Sequence, residues 1–110
     1  MTIKRITAIV PLDILEPMER HLRACGVPGV TVEQVKGYGE HPNFFRRDLM
    51  YDNARLVLYA DEDNVAGIVS AIARCAKESH AQAGLLAVES IDRLVNLSNG
   101  DDVTAPSLAQ

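Results

Sequence analysis

The chain has 110 residues and a mass of 12.0 kDa, one domain's worth of sequence. Apolar residues make up 47% and charged residues 24%, ordinary globular usage that excludes wholesale disorder. The net charge of −4, from 11 basic and 15 acidic residues with no Lys/Arg block, argues against nucleic acid as a partner, because nucleic-acid binding needs cations to neutralise phosphates.

Residues 3–10 read as a strand, with Ile6, Ala8 and Val10 on one face and Pro11 as its stop. Ile14, Met18, Leu22 and Cys25 follow at helical spacing. Pro17 fits the first turn of that helix, where its missing N–H has no partner anyway, and Gly26 is the C-cap candidate. Val30, Val32 and Val35 mark a second strand ending at Gly37-Tyr38-Gly39. Residues 40–53 show no apolar period and hold Pro42, two Asn and several charges, so they form a loop. It exceeds the usual connection of about 4–6 residues, which hints at function.

Residues 54–60 are the third strand, with Leu56 and Leu58 on one face and Val57 and Tyr59 on the other. Asp61-Glu62-Asp63 suits the positive end of a helix, and Val65, Ile68, Val69, Ile72, Ala73 and Ala76 carry its 3.6 period. A loop over 78–84 leads to short strands at 85–88 and 94–97. The polar residues 99–110 read as a flexible C-terminal tail behind a domain of residues 1–98.

The order is β-α-β, long loop, β-α-β. This is the ferredoxin-like α+β pattern, a four-stranded antiparallel sheet with two helices on one face. The other sheet face keeps Ile9, Val57 and Tyr59, and so large an apolar face favours oligomerisation. A small core leaves little room for an enclosed site in one subunit, so a site between subunits is expected. No run approaches the roughly 20 apolar residues of a membrane helix, so no direct membrane insertion is expected. Met1-Thr2-Ile3-Lys4-Arg5 lacks the features of a signal peptide, and a cytoplasmic protein with reduced thiols is expected.

The most unusual stretch is His41-Pro42-Asn43-Phe44-Phe45-Arg46-Arg47. Phe44 and Phe45 could plug an apolar site on a partner, with Arg46 and Arg47 beside them to bind carboxylate, bicarbonate or phosphate. The alternative is that the rings fold back on their own subunit and the arginines are solvated. His41 and His80, flanked by Glu40 and Glu78, offer imidazole and carboxylate to a divalent metal, although their spacing matches no metal motif. The alternative is a pair of exposed loop histidines. Cys25 and Cys75 read as small apolar fillers and His21 as a surface residue. Ser79-His80 lacks an orienting acid, so no catalytic constellation is present and no enzyme is expected.

Three stretches carry a family resemblance: Ile6-Thr7-Ala8-Ile9-Val10-Pro11, then Gly29-Val30-Thr31-Val32-Glu33-Gln34-Val35-Lys36-Gly37-Tyr38-Gly39, then Arg93-Leu94-Val95-Asn96-Leu97-Ser98-Asn99-Gly100. Over residues 3–100 the chain resembles the P-II signal-transduction proteins, with the G-x-T-x-x-x-V-K-G-[FY]-G stretch the most specific part. The resemblance implies a homotrimer that binds a small-molecule effector, typically ATP or ADP, in clefts between subunits. It also implies a long T-loop that docks on a membrane transporter or enzyme. Matching residue by residue puts Gly29, Thr31, Gly37, Tyr38, Gly39, Tyr59 and Gly84 at the effector cleft, and His41, Phe44, Phe45, Arg46 and Arg47 in the partner-binding loop.

The chain departs from the family where the phosphates would sit. Leu85 replaces the B-loop lysine, and Asn96 and Ser98 replace the C-loop arginines. Glu40, His41 and Asn53 replace an arginine, a glutamine and a lysine of the T-loop. Each charge-assisted contact contributes roughly 1.5–3 kcal/mol, so weak ATP binding is expected. The T-loop is also shortened and lacks the R-G-x-E-Y motif, and Tyr51 is not its equivalent. The resemblance thus implies a divergent regulator of a transport system or enzyme that senses an adenine nucleotide, bicarbonate or a similar ligand. A divalent-metal-binding trimer of the cation-tolerance type, using His41 and His80, is the alternative.

Overall fold

The computed structural model describes residues 2–39, 42–81 and 84–104. Strand β1 (Ile3–Pro11) leads through one 3-10 turn (Leu12–Ile14) into helix α1 (Leu15–Ala24). Strands β2 (Thr31–Gly37) and β3 (Tyr51–Asp61), helix α2 (Glu62–Glu78) and strand β4 (Leu85–Ser90) follow. The sheet order is β2-β3-β1-β4, with every neighbouring pair antiparallel. This is the ferredoxin-like arrangement expected from the pattern.

The alternation along the central strands decides which face is covered. Ile6, Ala8 and Val10 of β1 and Ala54, Leu56, Leu58 and Ala60 of β3 are all buried. They share one core with Ile14, Met18, Leu22, Ile68, Ile72 and Cys75. Each large apolar side chain buried this way contributes about 1.5–3 kcal/mol. Asp61 starts α2 by accepting a hydrogen bond from the Asp63 N–H at 3.2 Å, satisfying one orphan donor of the first turn.

Both helices end in the same turn. At α1, the Gly26 N–H reaches the Arg23 carbonyl at 3.0 Å and the Val27 N–H reaches Leu22 at 3.1 Å. At α2, the His80 N–H reaches Lys77 at 3.1 Å and the Ala81 N–H reaches Ala76 at 2.9 Å. This pair of bonds is a Schellman motif, which needs a left-handed residue after the cap. Gly26 supplies it with φ +78 at no steric cost, whereas His80 adopts φ +55 against the preference of a side chain with a Cβ.

Four expectations change. Strand β3 begins at Tyr51 rather than residue 54, because its ladder with β2 runs as far as Gly37↔Tyr51. No strand forms over 94–97. The β4 ladder stops at Lys4↔Ser90, at the start of β1, so the chain beyond it has nothing left there to pair with. Residues 94–103 fold back on themselves instead, with a single bridge Val95↔Asp102 and a Val103 N–H to Leu94 carbonyl bond of 3.0 Å. That hairpin also holds residues 99–103, placed by the sequence reading in the tail. Finally, Cys75 is a core filler but Cys25 is exposed, since α1 ends one residue before it.

Candidate functional site

The cleft residues picked from sequence do not gather in one place within a subunit. Thr31 opens β2 opposite Val57, and Gly37 closes it opposite Tyr51, about 20 Å away at strand spacing. Gly29 and Tyr38-Gly39 flank these two ends. Gly84 stands across the sheet, at the entrance to β4. Three inter-strand spacings, roughly 14 Å, separate the β2 and β4 edges. Gly84 has a structural reason to be glycine: at φ +144, a Cβ there would sit 2.9 Å from the Ile9 carbonyl oxygen. The exposed Leu85 follows it.

Tyr59 lines a pocket of about 380 Å³ at the end of β3, walled by Val27, Pro28, Asp61, Asn64 and Gly67. Tyr59 is the one predicted cleft residue on that wall; the 25–28 turn was missed by the sequence reading. The signal was present in Cys25-Gly26-Val27-Pro28, whose glycine and proline force the chain to turn beside the strand end.

The open face of the sheet has a defined charge pattern. In successive rows across the strands lie Tyr59, Arg5 and Glu89; then Thr31, Val57, Thr7 and Ala87; then Glu33, Arg55, Ile9 and Leu85. Arg5 and Glu89 pair at 2.9 Å, and the Glu89 hydrogen bond and charge hold the Arg5 guanidinium still more firmly protonated. Arg55 and Glu33 pair at 2.6 Å. An apolar stretch of Val57, Ile9, Ala87 and Leu85 adjoins these two neutralised pairs, and Ile9 and Leu85 are 38% and 81% exposed.

The 42–50 loop is held together by its own residues. The Asn43 N–H donates to the Leu49 carbonyl at 2.9 Å, and the Asn43 side-chain amide donates to the Met50 carbonyl at 3.1 Å. The Asn43 side-chain oxygen accepts from the Phe45 N–H at 3.1 Å. Arg46 forks between Asp52 at 2.7 Å and Asp48 at 3.0 Å, and Lys36 reaches Asp48 at 3.5 Å. The Met50 N–H, with the Arg46 and Lys36 charges, holds the Asp48 carboxyl below its usual range. Leu49 takes φ +60 to close the turn.

Phe44 and Phe45 point outward, 80% and 100% exposed, so the fold-back alternative does not hold. Arg46 is committed to the carboxylates of Asp48 in its loop and Asp52 at the start of β3. Arg47 makes no ion pair among the described residues. His41 and Glu40 lie outside the described residues. Asn43, Asp48 and Asp52 were not singled out beforehand; an Asn two residues before a turn centre is the local signal that could have marked them.

The remaining candidate cations and histidines are also accounted for. Arg93 pairs with Asp102 at 2.9 Å across the 94–103 hairpin. Asn96 and Ser98 bond each other, Ser98 Oγ donating to Asn96 Oδ1 at 2.6 Å. His80 serves as the left-handed residue after α2, and Glu78 lies 3.9 Å from His21 of α1. Among the described residues no three His, Cys, Asp or Glu side chains are grouped to hold a metal ion, so the metal-binding alternative gains no support. No helix among them is long and apolar enough to cross a membrane.

The family model for nitrogen regulatory protein P-II matches residues 3–100. The chain belongs to the P-II family. It is 30% identical over 105 residues to a nitrogen regulatory protein P-II of Rhizobium etli, covering 89% of this chain and 94% of that protein. It is 26% identical to the P-II protein of Mesorhizobium japonicum, with the same coverage. It is 26% identical to P-II 1 of Escherichia coli strain K12, covering 90% of this chain and 95% of the relative. Membership makes this P-II chain a signal-transduction regulator, and the ferredoxin-like sheet is the P-II fold.

Proposed function

We infer that this P-II chain is a cytoplasmic, non-enzymatic regulator that works as a homotrimer and senses a small effector in clefts between subunits. The observation that carries the reading is the split of the cleft residues between two edges of one sheet. Thr31, Gly37 and Tyr59 belong to the β2–β3 side and Gly84 to the β4 side. A second copy, presenting its β4 end to the β2 edge of the first, would join them into one cleft. The apolar rows around Ile9 and Leu85 supply a surface for that association, and the neighbouring Arg5–Glu89 and Arg55–Glu33 pairs can be covered without stranding a lone charge.

The effector is smaller or less charged than ATP. Leu85, Asn96 and Ser98 stand where cations would meet phosphates, and Arg46 and Arg93 are tied to aspartates. An adenine nucleotide with fewer phosphates, or bicarbonate, suits such a cleft better. Its binding biases the loop after Gly39 toward one arrangement, by as much as its affinity differs between the two. The loop in turn contacts a transporter or enzyme.

Sedimentation followed by a calorimetric screen with ATP, ADP, AMP, cyclic AMP and bicarbonate tests this. A trimer with heat for AMP, cyclic AMP or bicarbonate and little for ATP is expected. A monomer removes the cleft altogether, and submicromolar ATP affinity removes the charge argument.

A further inference from the structure

The 94–103 hairpin carries a reactive pair of residues near its tip. Of the five asparagines in the chain, Asn99 alone is followed by glycine. The others precede Phe44, Ala54, Val65 and Leu97, whose side chains crowd the next backbone nitrogen. At Gly100 nothing crowds it: even a Cβ built there would meet no atom within 4 Å. Asn99 and Gly100 are both exposed.

Two hydrogen bonds act on this pair in opposite senses. The Asp101 N–H donates to Asn99 Oδ1 at 2.8 Å. That bond draws electron density away from the side-chain amide carbon Cγ and would steady the negative charge its oxygen gains when a nucleophile adds. The Gly100 N–H donates to the Asn96 carbonyl at 2.8 Å. Its proton is thereby held, and the Gly100 nitrogen becomes a nucleophile only after that bond opens.

We propose that Asn99–Gly100 is a site of spontaneous modification to aspartate or iso-aspartate, with the 94–103 hairpin as its brake. The Gly100 nitrogen gives its proton to water or a buffer base and bonds to Asn99 Cγ. The Cγ–Nδ2 bond breaks, Nδ2 takes up a proton and leaves as ammonia, and a five-membered succinimide remains. One water molecule adds to either ring carbonyl and reopens the ring to aspartate or iso-aspartate. Water is the only co-reactant.

The brake is a weak one. None of residues 93–104 is buried. The hairpin is tied by the Val103 N–H to Leu94 carbonyl bond of 3.0 Å, the Asn96 N–H to Asp101 carbonyl bond of 2.9 Å and the exposed Arg93–Asp102 pair. A segment with so little buried surface opens at a fraction of the cost of global unfolding, so the pair reacts while the core stays folded. The iso-aspartyl product routes the main chain through Asn99 Cβ and Cγ. That adds one backbone atom inside the turn, and the present bonds of Asn96 to Gly100 and Asp101 cannot all re-form. Either product adds a negative charge beside Asp101 and Asp102. The inference is independent of subunit assembly and of any effector.

The test incubates the full chain, and a synthetic peptide of residues 94–104, in heavy-oxygen water at neutral pH. Digestion and mass sequencing then locate the label. Asn99 is expected to take it up while the other four asparagines do not, at a rate about tenfold below that of the peptide. Val103→Pro removes the N–H that ties Val103 to Leu94. It should speed conversion about fivefold, the worth of one hydrogen bond, with hydrogen exchange of the Gly100 amide quickened by the same factor and the melting temperature of the core unchanged. An Asn99 still unlabelled after about ten half-lives of the peptide overturns the site. A chain as fast as the peptide, or conversion in Val103→Pro that does not follow Gly100 exchange, overturns the brake. The exchange comparison holds even if that variant is less stable, because both rates report the same opening.

Discussion

Leu56 and Ile9 sit on neighbouring central strands, and their side chains point to opposite faces of one sheet. The covered face closes on Met18, Leu22, Ile68 and Ile72 and needs nothing from outside. The open face carries residues of comparable size and hydrophobicity, yet they meet water and two surface ion pairs. The difference shows that alternation in a strand specifies two faces but not two fates. A face is buried only if the same chain supplies a layer to cover it, and two helices of this length suffice for one side.

Leu56→Ala breaks the comparison most severely. It removes a fully buried side chain of β3 from the core and should cost about 2–5 kcal/mol, read as a lower urea midpoint. Gly84→Ala comes next. The added Cβ meets the Ile9 carbonyl from a backbone angle that only glycine adopts readily, and a loss of about 1–3 kcal/mol is expected in the same assay. Ile9→Asp should leave the monomer folded, within about 1 kcal/mol, while a trimer built on the open face falls apart in sedimentation. A variant that unfolds instead would mean that this face belongs to the intrasubunit core.

His80→Gly sharpens the contrast between the two helix ends. It gives α2 the residue that α1 already has in Gly26 and should raise stability by about 1 kcal/mol, seen as a higher melting temperature. The smallest effect concerns the 42–50 loop alone. The Asp48 carboxyl is held below its ordinary value, so its ionised form is favoured in the folded loop. The stabilisation is therefore full above the unfolded carboxylate value of about 3.9 and is lost as pH falls below it. Loop amide signals should stay ordered at neutral pH and broaden or collapse only in acid, with the core unaffected.

The elements that could be read in advance were those with a strict period. Ile6, Ala8 and Val10 repeat every second residue, and Met18 and Leu22 lie four apart; in both cases burial follows directly. The polar start of β3 was missed because Tyr51, Asp52 and Asn53 carry no apolar alternation and join the sheet only through their ladder with β2. Residues 94–97 have the composition of a strand, but β1 offers them no free partner. Among the residues the resemblance assigns to a cleft, the glycines and Thr31 could be named from a motif, whereas their division between two sheet edges could not. The loop showed its Phe44-Phe45 pair in sequence and hid the Asn43 and Arg46 bonds that turn those rings outward.

Local preference and hydrophobic period are properties of a few consecutive residues. They are enough to specify six elements, whereas the expected absence of cations at Leu85, Asn96 and Ser98 came only from the resemblance to the P-II family. Which face stays bare, which carboxylates capture Arg46 and which residues meet across the sheet depend on groups far apart in the chain. Those outcomes are settled by register and by the three-dimensional packing of distant segments, because a hydrogen bond or an ion pair forms with whatever the fold brings within reach.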